Sequence, residues 1–303
     1  GQMKGRKARR WRRIRKFAAA AVAACAGLSL TGPAAASADF EVTQFEAPAL
    51  NASGEPELRA GARPHVAKNV IRISETTVKY LGILDVVVPS ASIRNVIVDL
   101  PPGFGGNPQN VPKCPPEVFM QPTGCPASTQ VGVMTLHLKG LMNQDLPIAV
   151  FNLEPPEGVP AQFGFRALSV PVYINASVRP TDHGLRMKIL RNSQSLPLVG
   201  TTLELWGVPA DPAHDPARGG PSDAPEKAFL SNPTDCSEAQ VTRLRINSWQ
   251  EPDDWQEAEY VAPPLTGCEE LEFEPTVDVQ PLSERADSPS GYRIELTATN
   301  NHS

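Results

Sequence analysis

Residues 172–189 read VYINASVRPTDHGLRMKI, two runs of alternating apolar and polar side chains around a short turn. A period of two residues is typical of a β-strand with one buried face and one solvated face. Pro180-Thr181-Asp182-His183-Gly184 supplies turn-forming residues between the two runs. The segment therefore predicts an antiparallel β-hairpin.

The same alternation recurs along the chain, most clearly in residues 242–246 and 292–296. Helix signals are few, and the best candidate is Pro252–Tyr260, with proline at a possible first position and two aspartates near the positive end of the helix dipole. Proline supplies 32 of the 303 residues, about twice its usual share, which excludes a helical bundle. We expect an all-β fold, a disulfide-stapled antiparallel β-sandwich of immunoglobulin-like or Greek-key type with long Pro/Gly-rich loops.

The first 38 residues differ from the rest of the chain. They contain nine Lys or Arg and no Asp or Glu, and the basic stretch is followed by the apolar run Phe17–Leu30. This order is typical of a signal peptide, and Ala36-Ser37-Ala38 predicts cleavage between Ala38 and Asp39. An uncleaved membrane anchor is the alternative, but the run is shorter than the ~20 residues that a spanning helix needs. A second alternative places a lipid on Cys25.

Composition shifts after the signal peptide suggest further boundaries. We expect an extended lead-in over 39–68, a β-sandwich domain over 69–210, and a Pro/Gly-rich linker or loop over 211–228. A second β region, a truncated one, would follow over 229–303. The alternative is a single sandwich, to whose core residues 232–270 return.

The charge of the exported part excludes one class of partner. Without the first 38 residues the chain keeps 19 basic and 33 acidic residues, a net charge of −14. Nucleic acid is excluded as a partner, because binding phosphates requires a basic surface. Nor does any later stretch reach the apolar length of a membrane span, so we expect none in the mature chain.

Four cysteines remain beyond the signal peptide: Cys114, Cys125, Cys236 and Cys268. An even number in an exported chain predicts two disulfides with three possible connectivities. We favour Cys114–Cys125 with Cys236–Cys268, because neither of these bonds crosses the middle of the chain. A zinc site with four thiolate ligands is the competing interpretation, although the close C-x-x-C pairs that are typical of such sites are missing from the sequence.

Asp211-Pro212-Ala213-His214-Asp215 is the densest group of potential ligands. Two carboxylates and an imidazole within five residues could bind a divalent cation, so Asp211, His214 and Asp215 are weak candidates for a metal site. The flanking prolines favour another interpretation, a turn whose acidic side chains cap backbone N–H groups.

A second acidic cluster lies beside two tryptophans. Asp253, Asp254 and Glu257 follow Trp249 and surround Trp255, and a glycoside hydrolase requires two carboxylates with aromatic platforms. Such carboxylates must face each other across a cleft, whereas neighbours in a polar loop usually face water. We therefore expect no catalytic residue here, and no cofactor.

Several short sequence motifs carry a resemblance to a known family. They are VDLPPGFGGNP (98–108), PKC (112–114), CPASTQVG (125–132), FNLEPP (151–156), AQFGF (161–165), LWGVPADPAHD (205–215) and ADSPSG (286–291). With them the chain resembles a family of large secreted proteins of uncharacterised function from high-GC Gram-positive bacteria. The resemblance implies a long extracellular protein of β domains, of which this chain is the N-terminal part. The motifs carry no known chemistry, so the resemblance transfers no catalytic residue.

Together these features predict a non-catalytic protein, secreted or held at the cell surface, with a structural or adhesive role. Its partner would be an unknown extracellular protein or glycan, bound through the loops. The first alternative is a carbohydrate- or Ca²⁺-binding module that uses Trp206, Trp255 or the loop Asp211–Asp215. The second is a secreted glycoside hydrolase built on the acidic cluster.

Overall fold

Most regular elements of the described chain are β-strands. The computed structural model describes residues 39–141, 143–271, 275–283, 285–287 and 289–298. Its strands are β1 (Val42–Glu46), β2 (Ala49–Leu50), β3 (Val66–Ile73), β4 (Glu75–Tyr80), β5 (Leu84–Pro89), β6 (Ile93–Asp99), β7 (Gly105–Gly106), β8 (Gln130–Leu138), β9 (Gln144–Leu153), β10 (Ala161–Ala167), β11 (Val170–Val178), β12 (Leu185–Ile189), β13 (Leu198–Trp206), β14 (Leu230–Ser231), β15 (Gln240–Ser248), β16 (Trp255–Ala262), β17 (Pro275–Pro281) and β18 (Tyr292–Ala298).

The helices are short. Single helical turns form α1 (Pro116–Phe119) and α2 (Asp215–Arg218). Within the described ranges, no helix combines the length and the apolar character that crossing a membrane requires.

Eleven strands form one antiparallel sheet in the order β1-β3-β13-β8-β9-β10-β11-β12-β6-β15-β16, and β2 adds a short pairing to β3. The two outermost strands, β1 and β16, lie against each other, so the sheet curls into a nearly closed barrel. The expected sandwich was therefore wrong, although the all-β antiparallel class is correct. Inward side chains therefore face the opposite wall of the same sheet instead of a second sheet.

The hairpin predicted from residues 172–189 is formed by β11 and β12. Val178 pairs with Leu185 and Asn175 pairs with Lys188. At the turn, Arg179 is only 8% exposed, and its guanidinium donates to Asp182 at 2.8 Å and to the carbonyl oxygen of Leu185 at 2.7 Å. This internal pairing explains how a charged side chain is accommodated in a buried position.

Strands from both sides of the predicted linker belong to the same sheet. β15 pairs with β6, with Leu244 opposite Val98, so the segment 211–228 connects strands of one barrel. The described residues from Asp39 onward accordingly belong to one compact unit. The predicted signal peptide, with its cleavage point after Ala38, lies outside the described residues, which begin at Asp39.

The helix predicted over Pro252–Tyr260 is wrong. Glu251 and Asp254 belong to a turn closed by a hydrogen bond from the Asp254 N–H to the Glu251 carbonyl, 3.3 Å long. From Trp255 onward the chain runs as β16, where more exposed residues alternate with less exposed ones. Proline followed by acidic residues is also a good turn sequence, so this signal did not discriminate between the two structures.

Different connections between strands form the two ends of the barrel. At the hairpin end, β8 turns into β9, β10 turns into β11, and β12 leads into β13. At the opposite, capped end lie the connections 100–129 and 207–239, which pair with each other through β7 and β14. Buried Asn152 ties the first connection to β9 by donating to the carbonyl oxygens of Pro108 and Val111, both at 3.0 Å.

Candidate functional site

The inward faces of β10 and β11 carry large apolar side chains. Phe163 and Phe165 on β10 and Val172 and Ile174 on β11 are all at most 8% exposed. They point to the same side because alternate residues of a strand share a face. At the capped end, Phe229 packs edge-on against Phe163, with ring centroids 5.6 Å apart.

These walls enclose a cavity of about 450 Å³. An eleven-stranded barrel is wider than one that side chains alone can fill, so an internal space is expected from the strand number. Small inward residues, Ala161, Ala167 and Ala176, add to the room. Large apolar side chains form most of the wall, among them Val96, Val98, Met134, Leu136, Phe163, Phe165, Val172, Ile174, Met187, Ile189, Leu203 and Leu205.

Polar groups lie mainly at the two ends of the cavity. Asn192, Ser193 and Ser195 line it at the hairpin end, and Glu57 and Asn232 line it at the capped end. An elongated molecule inside the barrel would therefore contact apolar side chains along its length and hydrogen-bonding groups at its ends.

One wall also carries polar side chains near the capped end. Thr242 on β15 is 4% exposed and lies directly opposite Tyr260 on β16, and both face the cavity. Burial raises the pKa of the Tyr260 phenol, and the nearby carboxylate of Glu46 raises it further. Tyr260 therefore stays protonated at neutral pH and can donate or accept a hydrogen bond.

The structure contains both disulfides in the pairing that the sequence favoured. Cys114–Cys125 and Cys236–Cys268 join Cα atoms 5.7 and 6.1 Å apart. The first bond encloses α1 and anchors buried Phe119 beside Leu153, close to the capped end. Disulfides persist in oxidising compartments, so their presence indicates an environment outside the cytosol.

The loop Asp211–Asp215 folds as a turn in which one of the two aspartates caps a backbone N–H. Asp211 caps the backbone N–H of Ala213 at 2.9 Å, and Asp215 pairs with Arg218. His214, 4% exposed, lies between the rings of Trp206 and His65, with centroids 4.6 and 4.4 Å away. The three metal candidates thus face different partners, and the described residues hold no group of three or more potential metal ligands.

Trp206 lies within this stack and is 2% exposed, so it offers no open platform for a sugar ring. Trp255 is 38% exposed on the outer face of β16. The predicted acidic cluster is also on the outside, with Asp253, Asp254 and Glu257 all exposed to solvent. The structure does not bring these carboxylates together across a cleft.

The sequence analysis did not identify the residues that line the cavity. Their alternation had marked them as core residues, and inward residues look alike whether a sheet packs on another sheet or closes on itself. The small residues at three inward positions, Ala161, Ala167 and Ala176, were the one local signal of unfilled space.

Comparisons with known proteins give no further guide to this site, because no family model, no curated protein and no solved structure matches the chain.

Proposed function

We propose that this protein is a non-catalytic, exported binding protein that holds one elongated apolar molecule, of the acyl-chain or isoprenoid class, inside its barrel. The observation that carries the proposal is the cavity of about 450 Å³ walled by aliphatic and aromatic side chains. Its size falls within the ~300–1,000 Å³ of small-molecule pockets, which are mostly apolar. Burial of apolar surface would supply most of the binding free energy, at about 25 cal/mol per Å².

The polar groups of the cavity favour a ligand with a weakly polar end. Thr242 and Tyr260 offer hydroxyl groups on one wall, and Asn192 and Ser195 offer polar groups at the hairpin end. The charged residues among the described lining are Glu57 and Lys68. A neutral alcohol, ester or protonated acid fits this lining better than a multiply charged headgroup, because unpaired buried charge is costly.

Secretion or display at the cell surface is part of the proposal. It is supported by the predicted signal peptide and by the two disulfides. An adhesive or glycan-binding role through the loops stays a prediction, and it is compatible with a ligand inside the barrel.

The test is a titration with N-phenyl-1-naphthylamine, a neutral apolar dye whose fluorescence rises when it leaves water. We expect saturable 1:1 binding in the micromolar range and displacement by hexadecanol. Val172→Trp places a large ring inside the cavity, and Tyr173→Trp places the same ring outside on the next residue of β11. The first variant should weaken dye binding at least tenfold and the second less than twofold.

Cooperative thermal unfolding of both variants would show that each is folded. The proposal is overturned if the unaltered protein binds no dye saturably. Equal binding by the folded Val172→Trp variant would also overturn it, because the dye would then bind elsewhere.

A further inference from the structure

The exposed aliphatic side chains of the barrel are concentrated at its hairpin end, and a further set, Val277, Val279, Leu282, Ile294 and Leu296, belongs to the β17–β18 hairpin, a separate two-stranded sheet. Between residues 39 and 271, eight large apolar side chains that the structure describes are more than half exposed. Two of them, Val178 and Val261, are on strands near the capped end. The other six lie in turns of the hairpin end or, for Leu84, at the start of the strand that follows, and we call this set the apolar rim: Leu81, Ile83, Leu84, Leu141, Leu168 and Leu190.

The rim is formed by four separate connections. The β4–β5 hairpin is attached to the hairpin end, since it leaves from the end of β3 and returns to the start of β6. Its turn exposes 79% of Leu81 and 84% of Ile83. The β8–β9, β10–β11 and β12–β13 connections each add one exposed leucine.

Two rim leucines occupy backbone conformations that disfavour them. Leu81 has φ +52° and is followed by Gly82 at φ +75°, in a turn closed by a hydrogen bond from the Ile83 N–H to the Tyr80 carbonyl. Leu168 has φ +57°. Glycine or asparagine adopts these angles with less strain. Since the leucines are 79% and 69% exposed, packing within the described chain does not compensate for the strain.

The charged residues beside the rim are of both signs, and the basic ones would suit a lipid surface. On the β4–β5 hairpin, Lys79 and Asp85 neutralise each other at 2.8 Å. Lys139 and Arg191 flank the turns that carry Leu141 and Leu190, where cations would meet anionic headgroups. The acidic β15–β16 turn, with Asp253 and Asp254, lies at the same end, so attraction to anionic lipid comes from one part of that end only.

The shape of the rim also favours lipid over a folded protein. Aliphatic side chains on four separate connections can each enter a fluid acyl layer without a matching surface. A protein partner would need a continuous, complementary patch. The rim is moreover continuous in sequence with the cavity wall, since Leu168 and Leu190 adjoin the lining residues Ala167 and Ile189.

We propose that the apolar rim docks this protein onto the surface of a phospholipid bilayer. The rim leucines enter the boundary between headgroups and acyl chains, with Lys139 and Arg191 at headgroup level. This inference goes beyond the proposed ligand binding and does not depend on it. Together the two would let the cavity exchange an apolar molecule with the bilayer.

The experiment is flotation with vesicles of phosphatidylcholine and phosphatidylglycerol, 3:1. The protein is used as the chain from Asp39 onward, since the basic and apolar residues of 1–38 would bind vesicles themselves. The test variant is the double substitution Leu81→Asn with Leu168→Asn, because asparagine tolerates positive φ and should preserve the turns. Val178→Asn removes an exposed aliphatic side chain outside the rim and serves as the control.

We expect the unaltered protein to float with the vesicles, the double variant to bind at least tenfold less, and Val178→Asn to bind within twofold of the unaltered protein. Val172→Trp should float normally, which separates docking from ligand binding. Docking is overturned if the unaltered protein stays in solution or if the double variant floats equally well. It is also overturned if the protein self-associates without lipid and the double substitution abolishes that association, since a second copy would then cover the rim.

Discussion

His214 is held between Trp206 and His65, with ring planes 7° and 22° from parallel. Burial lowers the pKa of its imidazole to about 4, and the nearby His65 adds to the effect. The ordinary value is 6.5. Among the described residues, its Nε2 atom has no hydrogen-bond partner. The stack therefore requires a neutral ring, and protonation would oppose folding.

This shift predicts a pH dependence of stability. Between pH 6.5 and about 4 the unfolded chain binds a proton at His214 that the folded protein does not bind. The contribution of His214 to the free energy of unfolding is therefore complete above pH 6.5 and decreases as the pH falls towards 4, by about 3 kcal/mol in all. Urea unfolding at pH 7, 6 and 5 measures it.

The control is His214→Phe, which keeps a ring between the neighbours but cannot titrate. We expect this variant to lose less stability than the unaltered protein between pH 7 and 5. Asp182, with a pKa of about 2, titrates below this pH range and does not obscure the comparison. An identical slope in both proteins would contradict the assignment to His214.

Strands β8 and β13 approach each other so closely at Gly132 that only glycine fits. Gly132 lies opposite Leu205, beside an irregularity in the β8–β9 pairing. A Cβ atom added there would lie 2.0 Å from the carbonyl oxygen of Glu204. Because that oxygen belongs to the strand backbone, the clash with the added Cβ atom can be removed only if the two strands separate.

Gly132→Ala is accordingly expected to lower the free energy of unfolding by about 3 kcal/mol. Gly140→Ala, in the β8–β9 turn, is the matched control, because its Cβ would make an ordinary contact, 3.5 Å from Pro197. It should change stability by less than about 0.5 kcal/mol. Denaturant unfolding of the two variants measures both changes. Similar losses of unfolding free energy in the two variants would show that the close approach of β8 and β13 is not what requires glycine.

Individual strands were predictable, and their partners were not. The alternation at residues 172–178, 185–189 and 242–246 identified β11, β12 and most of β15. The helix predicted at 252–260 failed because a proline-acid start is shared by helices and turns.

Closure of the barrel is a property of the whole sheet. Pairings such as Arg186 with Asp99 and Thr202 with Val70 join residues about 90 to 130 positions apart. No local pattern encodes them, and a sandwich has the same alternation along each strand. The cavity follows from closure, so it could not be predicted before the strand order was known. The two disulfides could be predicted, because the number and spacing of the cysteines are read directly from the sequence.

A cavity of about 450 Å³ should make the whole molecule sensitive to pressure. Unfolding eliminates internal voids, and the volume change usually lies between about −20 and −100 mL/mol. For this barrel we expect a volume change of large magnitude, near about −100 mL/mol. Intrinsic fluorescence under hydrostatic pressure measures it. Val172→Trp fills part of the space and should reduce the magnitude, whereas Tyr173→Trp, on the outer face, should leave it unchanged. If both variants match the unaltered protein, water already fills the interior and an apolar ligand would have to displace it.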